Sequence, residues 1–403
     1  MTEHDVAVVG GGLAGRIAAL AFARQGFDTV LITPDTGLQD GRTTALMDQS
    51  IGFLASLGIW SRVLPEAAPL ASMQIIDATG RLLHAPPVKF RASEIGLEAF
   101  GYNIPNAPFL SILQSELAML DNVRMIGSSV VRADLAADSV RLVLSDGSEV
   151  DARLAVAADG RRSPMREAAG ITVNTKTYPQ TAVVLNFAHD RPHGGVSTEF
   201  HTRSGPFTQV PLPGNRSSLV WVVTPPEAGE ILGLPAETLD RRIEAQMRSM
   251  LGRVTVEGAP QGWPLSAMTA RRFGHGPVVL VGEAAHVFPP IGAQGLNLSL
   301  RDIQTALDLA VERRSSNGML AIGDTYDRRR RADIVSRTAA IDLFNSSLLS
   351  GFLPIQMLRA AGLHLLSALP PLRYLAMNEG VAPGRGFRLL PDFLREEIRR
   401  KRA

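Results

Sequence analysis

Asp5-Val6-Ala7-Val8-Val9-Gly10-Gly11-Gly12-Leu13-Ala14-Gly15 is the stretch on which the fold of this chain turns. The apolar run Asp5–Val9 stops at glycine. Beyond it, Leu13–Gln25 carries Ile17, Leu20, Ala21 and Ala23 at helical spacing until Gly26 ends the pattern. A second apolar run, Phe27–Ile32, completes a strand–helix–strand start. The glycines fit GxGxxG: Gly10 permits a tight turn, Gly12 lets backbone approach a pyrophosphate, and Gly15 lets helix and strand pack closely. Leu13 and Ala14 open the helix, whose unpaired N–H groups and partial positive charge suit a phosphate. A glycine-rich turn without a ligand is the plain alternative. In such units an acidic residue about 20 positions on binds a ribose. Here the second strand ends Ile32-Thr33-Pro34-Asp35, so Thr33 stands at that place as a neutral partner, with Asp35 as a substitute.

The rest of the chain widens this picture. Its 403 residues suggest two domains or two interleaved ones, and 45% hydrophobic and 20% charged residues suit a large folded core. A net charge of +2, with no basic stripe interleaved with aromatics, argues against nucleic acid. With no cysteine, disulfides, Cys-based zinc sites, iron–sulfur ligation, a Cys nucleophile and a redox-active disulfide are all excluded. Glu3, His4 and Asp5 stand where a signal peptide carries basic residues. No run of about 18 apolar residues predicts a membrane span, so the default expectation is cytoplasmic.

Residues 40–65 read as helical and looped, and 73–90 as strands turning at Ala78–Gly80. Leu110–Leu120 reads as a helix, followed by short strands at Val123–Ile126, Val130–Leu135, Val140–Ser145 and Val150–Ala157. Between 180 and 225 the pattern changes to β segments broken by Pro and Gly, and 234–252 reads as helical. Val278–Val281 is a buried strand that leads through a glycine-rich loop to a long helix near Gly295–Arg313.

Two further motifs follow buried strands. One is Ala157-Ala158-Asp159-Gly160-Arg161-Arg162-Ser163-Pro164. The other runs from Val279-Leu280-Val281-Gly282-Glu283-Ala284-Ala285-His286 through Pro289-Pro290-Ile291-Gly292-Ala293-Gln294-Gly295-Leu296-Asn297. Each alone passes for an ordinary strand-to-turn connection. Together, in this order and spacing, they resemble the FAD-dependent aromatic hydroxylases related to para-hydroxybenzoate hydroxylase, over nearly the whole chain. The resemblance implies an α/β fold: a Rossmann-type FAD-binding domain (1–72, 96–175 and 266–330), an inserted, mostly antiparallel β-sheet substrate domain (73–95 and 176–265) and a helical C-terminal region (331–403).

The resemblance also implies roles. Asp159 and Gly160 would touch both FAD and NAD(P)H. Gly282 and Glu283 would stand at the ribityl chain, Glu replacing the usual Asp. Arg42, in Gly41-Arg42-Thr43-Thr44-Ala45-Leu46, and Gln114 resemble further flavin contacts, although Ser111 stands where an Arg often does. Gly295, Leu296 and Asn297 would aim backbone N–H groups at the N1–C2 carbonyl edge. Pro289 and Pro290 would form a rigid loop at the flavin face. The implied reaction reduces FAD with NAD(P)H or another donor. The flavin then takes O₂ to a C4a-hydroperoxide and passes an oxygen to an electron-rich ring, the hard chemistry being the cofactor's. His193 and His286 are grouped with no carboxylate in the sequence, no metal-ligand spacing stands out, and no general base is identified.

Glu199-Phe200, Gly205-Pro206, Pro211-Leu212-Pro213, Ser218-Leu219-Val220-Trp221 and Trp263-Pro264-Leu265-Ser266 resemble the branch that hydroxylates a polyprenylated phenol in ubiquinone biosynthesis. A hydroxylase of a small soluble aromatic compound and a non-catalytic flavin-binding subunit of a biosynthetic complex are the alternatives. The apolar tail over 343–376, interrupted by Pro354, Arg359, His364 and Pro370-Pro371, reads either as helical core or as a surface for a membrane, a lipid carrier or a partner in a ubiquinone-biosynthesis complex.

Overall fold

The computed structural model describes residues 3–34, 41–80, 86–289, 294–314 and 321–349, with Tyr374 and Met377 from the tail. Asp35, Pro290 and most of the tail beyond 349 lie outside these residues.

Five strands form the parallel centre of the first sheet, in the order Val123–Ile126, Thr29–Ile32, Glu3–Val9, Glu149–Ala157 and Val278–Leu280. Antiparallel strands Val130–Leu135, Val140–Leu144 and Gly274–His275 extend it. The central strands are unbroken apolar runs because helices cover the sheet: Val6, Ala7, Val8, Val30, Leu31, Leu154 and Val156 are fully buried. The helix Leu13–Arg24 packs on it through Ile17, Leu20 and Phe22, all at 0% exposure. Each such side chain contributes about 1.5–3 kcal/mol by leaving water.

The second sheet is mostly antiparallel. Its order is His286–Val287, Val254–Ala270, Val173–His189, Arg216–Val223, Pro206–Leu212, Val196–His201, Ser72–Asp77 and Val88–Arg91. Only Val196–His201 and Ser72–Asp77 pair parallel. Side chains alternate across it. One face sends Val183, Leu185, Phe187, Phe207, Leu219 and Trp221 into a core roofed by helices Pro225–Leu232 and Ala236–Gln246. The opposite face, with Asn186 and Ser218, meets residues 41–47 and Asn103.

Several sequence expectations are corrected. Within 40–65, Thr43–Met47 is a strand, paired with Gly101–Pro105 some sixty residues away. Ser72–Asp77 and Val88–Arg91 pair antiparallel, as the expected hairpin requires, with Gly80 at φ +65° between them; residues 81–85 of the connection lie outside the described residues. The helix expected over 234–252 covers only Ala236–Gln246, and Arg248 and Ser249 have φ of 54° and 51°. An unexpected helix, Pro225–Leu232, precedes it. Its sequence signal is a capping box, with Thr224 bonding Glu227 and Pro225 at the first turn. Val254–Ala270 is an unanticipated 17-residue strand whose Gly258, Pro260, Gly262 and Pro264 hide it from periodicity. Val173–His189 and Val254–Ala270 both run across the expected limits near 175 and 265. The helices Gln294–Arg314 and Gly323–Leu349 close the described chain. Among the described residues no helix is long and apolar enough to cross a membrane.

Candidate cofactor site and the facing sheet

Strand register brings the motifs together. Val9 lies level with Ala157 and Ile32, and Ala157 with Leu280, so the chain leaves four parallel strands at one edge. Gly10, Thr33, Ala158-Asp159 and Val281-Gly282 therefore emerge side by side, outside the carboxyl ends of the strands, where open α/β sheets bind ligands. Gly10 has φ +115°, and a Cβ there would lie 2.2 Å from the Ala158 carbonyl oxygen. A Cβ on Gly15 would lie 1.8 Å from the Gly10 oxygen, whereas one on Gly12 would meet nothing within 4 Å. The loop is thus pressed against its own scaffold at Gly10 and Gly15 and open where a pyrophosphate would approach. Gly12 caps the helix without a side-chain bond, and no acidic residue stands in its first turn. The first intrahelical bond is Arg16 N–H to Gly12 O, at 3.0 Å, which leaves the amides of Leu13, Ala14 and Gly15 ahead of the ladder.

Arg16 is a residue the sequence reading missed. Only 9% exposed, it donates through Nε to the Gly11 carbonyl at 2.8 Å and through Nη1 to Gln114 Oε1 at 3.5 Å. Burial lowers its pKa from the usual arginine value. A cation on the buried face of the glycine helix was the available signal. Gln114 itself is exposed, on the helix Asn106–Ala118. The Thr33 amide donates to Ile126 O, and its hydroxyl bonds the Pro34 carbonyl at 3.3 Å and stands where a Gly11 side chain would project.

Asp159 accepts from the Met165 amide through Oδ2 at 3.1 Å, while its Oδ1 is buried and bonded to nothing. Burial pushes its carboxyl above the usual range, against the pull of Ser163, Met165 and Arg166. Gly160 follows at φ +85° with open space beside it. Ser163 caps the short helix Pro164–Ala168 by accepting from Arg166 N–H. The Arg166 guanidinium, 5% exposed, donates to the Arg161 carbonyl at 2.9 Å and the Ala284 carbonyl at 3.0 Å, and so clasps the second motif to the third. An exposed pair, Arg161 Nε to Glu283 Oε2 at 3.2 Å, joins them again at the surface.

Gly282, at φ +61°, is packed between Ala14 and Ser299. Beneath it His286, apparently isolated in the sequence, bonds Asp302 Oδ2 at 2.6 Å, which corrects the expectation that no carboxylate accompanies it. Asp302, with 0% exposure, also accepts from Gly282 N–H at 3.3 Å and from Arg330 Nε at 2.8 Å. Burial works against the charge on Arg330, yet Asp302 and Asp333 hold its pKa above the usual value. His193 bonds the Leu212 carbonyl, away from this group.

Gly295 and Leu296 begin the helix Gln294–Arg314 beside the strand Thr43–Met47. The Asn297 side chain is spent on backbone and hydroxyl: it accepts from Met47 N–H at 2.9 Å and Ser50 Oγ at 2.6 Å and donates to Ala45 O at 2.8 Å. Pro289 is buried. Arg42, at the start of that strand, lies with its guanidinium 5.5 Å from the ring centre of Trp263 on the second sheet. The residues around this edge fit FAD: backbone donors at an uncapped helix start, open space at Gly12 and Gly160, and an unpartnered Asp159 oxygen. Among the described residues no cluster of metal-ligating side chains occurs.

The family described as FAD binding domain matches residues 3–339. The chain is 33% identical to the ubiquinone hydroxylase UbiL of Rhodospirillum rubrum over 390 residues, 94% of this chain and 89% of the relative. It is 28% identical to the 3-demethoxyubiquinol 3-hydroxylase of Escherichia coli, covering 89% of this chain and 93% of the relative. The crystal structure of p-nitrophenol 4-monooxygenase PnpA from Pseudomonas putida shares the fold, with a TM-score of 0.76, 19% identity and coverage of 94% of this chain and 98% of that one. With its motifs gathered at one sheet edge and a match that spans both sheets, the chain belongs to the FAD-binding-domain family and is an FAD-dependent monooxygenase of the aromatic-ring hydroxylase superfamily.

Proposed function

We propose that this monooxygenase hydroxylates the aromatic ring of a polyprenylated phenol on the route to ubiquinone, with NAD(P)H as reductant. The observation that carries the reading is the reach of the likeness to ubiquinone hydroxylases, which extends from the glycine loop through the antiparallel sheet that would meet the substrate. In this assignment the first sheet holds the cofactor and the second the substrate. Gly10, Gly12, Leu13, Ala14 and Gly15 cradle the pyrophosphate, and Thr33 takes the ribose. Arg42, Gln114, Asp159, Gly160, Gly282 and Glu283 line the rest of FAD.

Bound FAD supplies the activation of O₂ and the transfer of one oxygen atom to the ring, the other leaving as water. The chain's own residues bind, orient and exclude water. The start of the helix Gln294–Arg314, at Gly295, Leu296 and Asn297, offers backbone N–H groups to negative charge on the reduced ring system. Asn297 serves by its backbone, because its side chain bolts that helix to the strand Thr43–Met47. Pro289 stiffens the flavin-side loop. We place the protein in the cytoplasm, in peripheral contact with the membrane or with a ubiquinone-biosynthesis complex that presents its lipid substrate.

The test is complementation of a strain lacking a ubiquinone ring hydroxylase, with quinone intermediates profiled. Restored ubiquinone, lost in a Glu283→Ala variant that is folded, supports the reading. Persistence of the unhydroxylated intermediate overturns it, and rescue by a variant that cannot hold FAD points to a non-catalytic subunit.

A further inference from the structure

We propose that the Asn186 carboxamide is the group that recognises the substrate's ring hydroxyl, in a cavity between Gly41 and a bulge in the antiparallel sheet. The inference rests on the reading of the protein as a ring hydroxylase and names a contact within that site.

The two longest strands lose register at one place. Val184 pairs with Gln261 and Asn186 with Glu257, so Gly258, Ala259 and Pro260 stand opposite Leu185 alone. Gly258 has φ +69° and open space at its α-carbon. Bulges of this kind bend a strand and re-aim side chains, and they recur beside active sites. Here the bulge opens a cavity of about 170 Å³ lined by Gly41, Val184, Asn186, Glu257, Ala259 and Gln261. A cavity of roughly 150 Å³ takes one benzene ring.

Its position joins the two halves of the protein. Gly41 precedes Arg42, the arginine assigned to the flavin, which lies against Trp263 on the bulged strand. The next residue, Thr43, donates to Ser218 Oγ at 3.0 Å, and Asn103 Nδ2 donates to the same oxygen at 3.3 Å. Ser218 is the cross-strand neighbour of Asn186, so these bonds tie the strand beside the cavity to residues 43 and 103. On the other side Glu257 is held by Arg216 at 2.6 Å, which leaves its carboxylate occupied.

Of the polar side chains at the cavity, Gln261 is exposed to solvent, and Asn186 is the one that holds a buried oxygen without a partner. Its Nδ2 donates to the Gly41 carbonyl at 2.9 Å, which fixes the amide, while Oδ1 is buried and has no partner. A fixed, dehydrated carbonyl oxygen wants a donor. A phenolic O–H supplies one and an ether or an unsubstituted ring position does not. Sites built around such an acceptor discriminate strongly against analogues lacking the donor, because the acceptor is then left unpaired.

The experiment titrates the FAD-loaded enzyme with 4-propylphenol and with its methyl ether, reading Kd from the change in flavin absorbance. The expected result is about tenfold tighter binding of the phenol, abolished in Asn186→Ala with ether affinity unchanged. Asn186→Gln, which keeps the amide donor and acceptor but moves the oxygen by one methylene, loses most of the preference and serves if the alanine variant does not fold. Equal affinity for the two ligands in the wild-type enzyme, or a phenol preference that survives in Asn186→Ala, overturns the assignment of Asn186 while leaving ring binding intact. If neither ligand perturbs the flavin, the ring-hydroxylase reading fails and takes the inference with it.

Discussion

The two sheets build their binding surfaces from different materials. The edge of the parallel sheet is made largely of backbone: glycines pressed against carbonyls, a bare helix start, and turns at positive φ. The facing surface of the antiparallel sheet is made of side chains, where Asn186, Ser218, Thr43 and Asn103 meet across more than a hundred residues of sequence. A backbone surface recognises what every FAD shares and tolerates almost no change. A side-chain surface can be altered one group at a time, as would befit the half to which we assign the substrate.

The sharpest way to break this contrast is Gly15→Ala. The added methyl must displace the Gly10 carbonyl, so we expect a loss of at least about 4 kcal/mol and no FAD retained on purification. A stable yellow variant would remove the distinction. Asp302→Asn comes next. It leaves Arg330 and His286 facing a neutral amide in a dry site, and thermal unfolding should report a loss of about 3 kcal/mol or more. On the other sheet, Ser218→Ala deprives Thr43 and Asn103 of a shared acceptor. A loss near 1–2 kcal/mol is expected, with FAD content unchanged.

Asp159 sharpens the comparison through pH. Its native pKa is raised, chiefly by burial, so its contribution to stability is fully present below the unfolded carboxyl's range, about pH 4. That contribution is lost as pH rises through the native value. Asp159→Asn should therefore unfold at an equal or higher temperature than wild type at about pH 8 and lose that advantage toward about pH 4, with weaker FAD retention throughout. The smallest effect on stability belongs to Glu283→Gln, within about 1 kcal/mol, because the Arg161–Glu283 pair is half exposed. Its FAD dissociation constant should nevertheless rise if Glu283 meets the ribityl chain; an unchanged constant removes Glu283 from the site.

The same contrast explains what was legible in the sequence. Gly10 and Gly15 announce themselves because only glycine satisfies the local geometry, and Val6–Val9 and Val278–Leu280 because a sheet covered on both faces demands apolar runs. The helix Pro225–Leu232 was equally local, its capping box lying within Thr224–Glu227, yet the Pro-rich context masked it. The strands Thr43–Met47 and Val254–Ala270 exist through partners remote in sequence, and proline and glycine break their alternation. Arg16 to Gln114, His286 to Asp302 and Asn186 to Gly41 are tertiary facts that no spacing encodes. Thr33 and Glu283, the departures from the family pattern, were visible at once; that Glu283 is paired with Arg161 was not.

Val173–His189 and Val254–Ala270 have a mechanical consequence. At about 3.3 Å per residue each is a beam roughly 55 Å long, and the two are laddered together from the edge beside His286 to the far end of the antiparallel sheet. Hinges form where loops or element ends can absorb a change of torsion. The ladder between these two strands breaks register only between Thr177 and Thr181 and between Val184 and Asn186, so the paired stretches hold the span between the proposed flavin edge and the Asn186 cavity, and a change of torsion on admitting a ligand falls to those two breaks and to the loops.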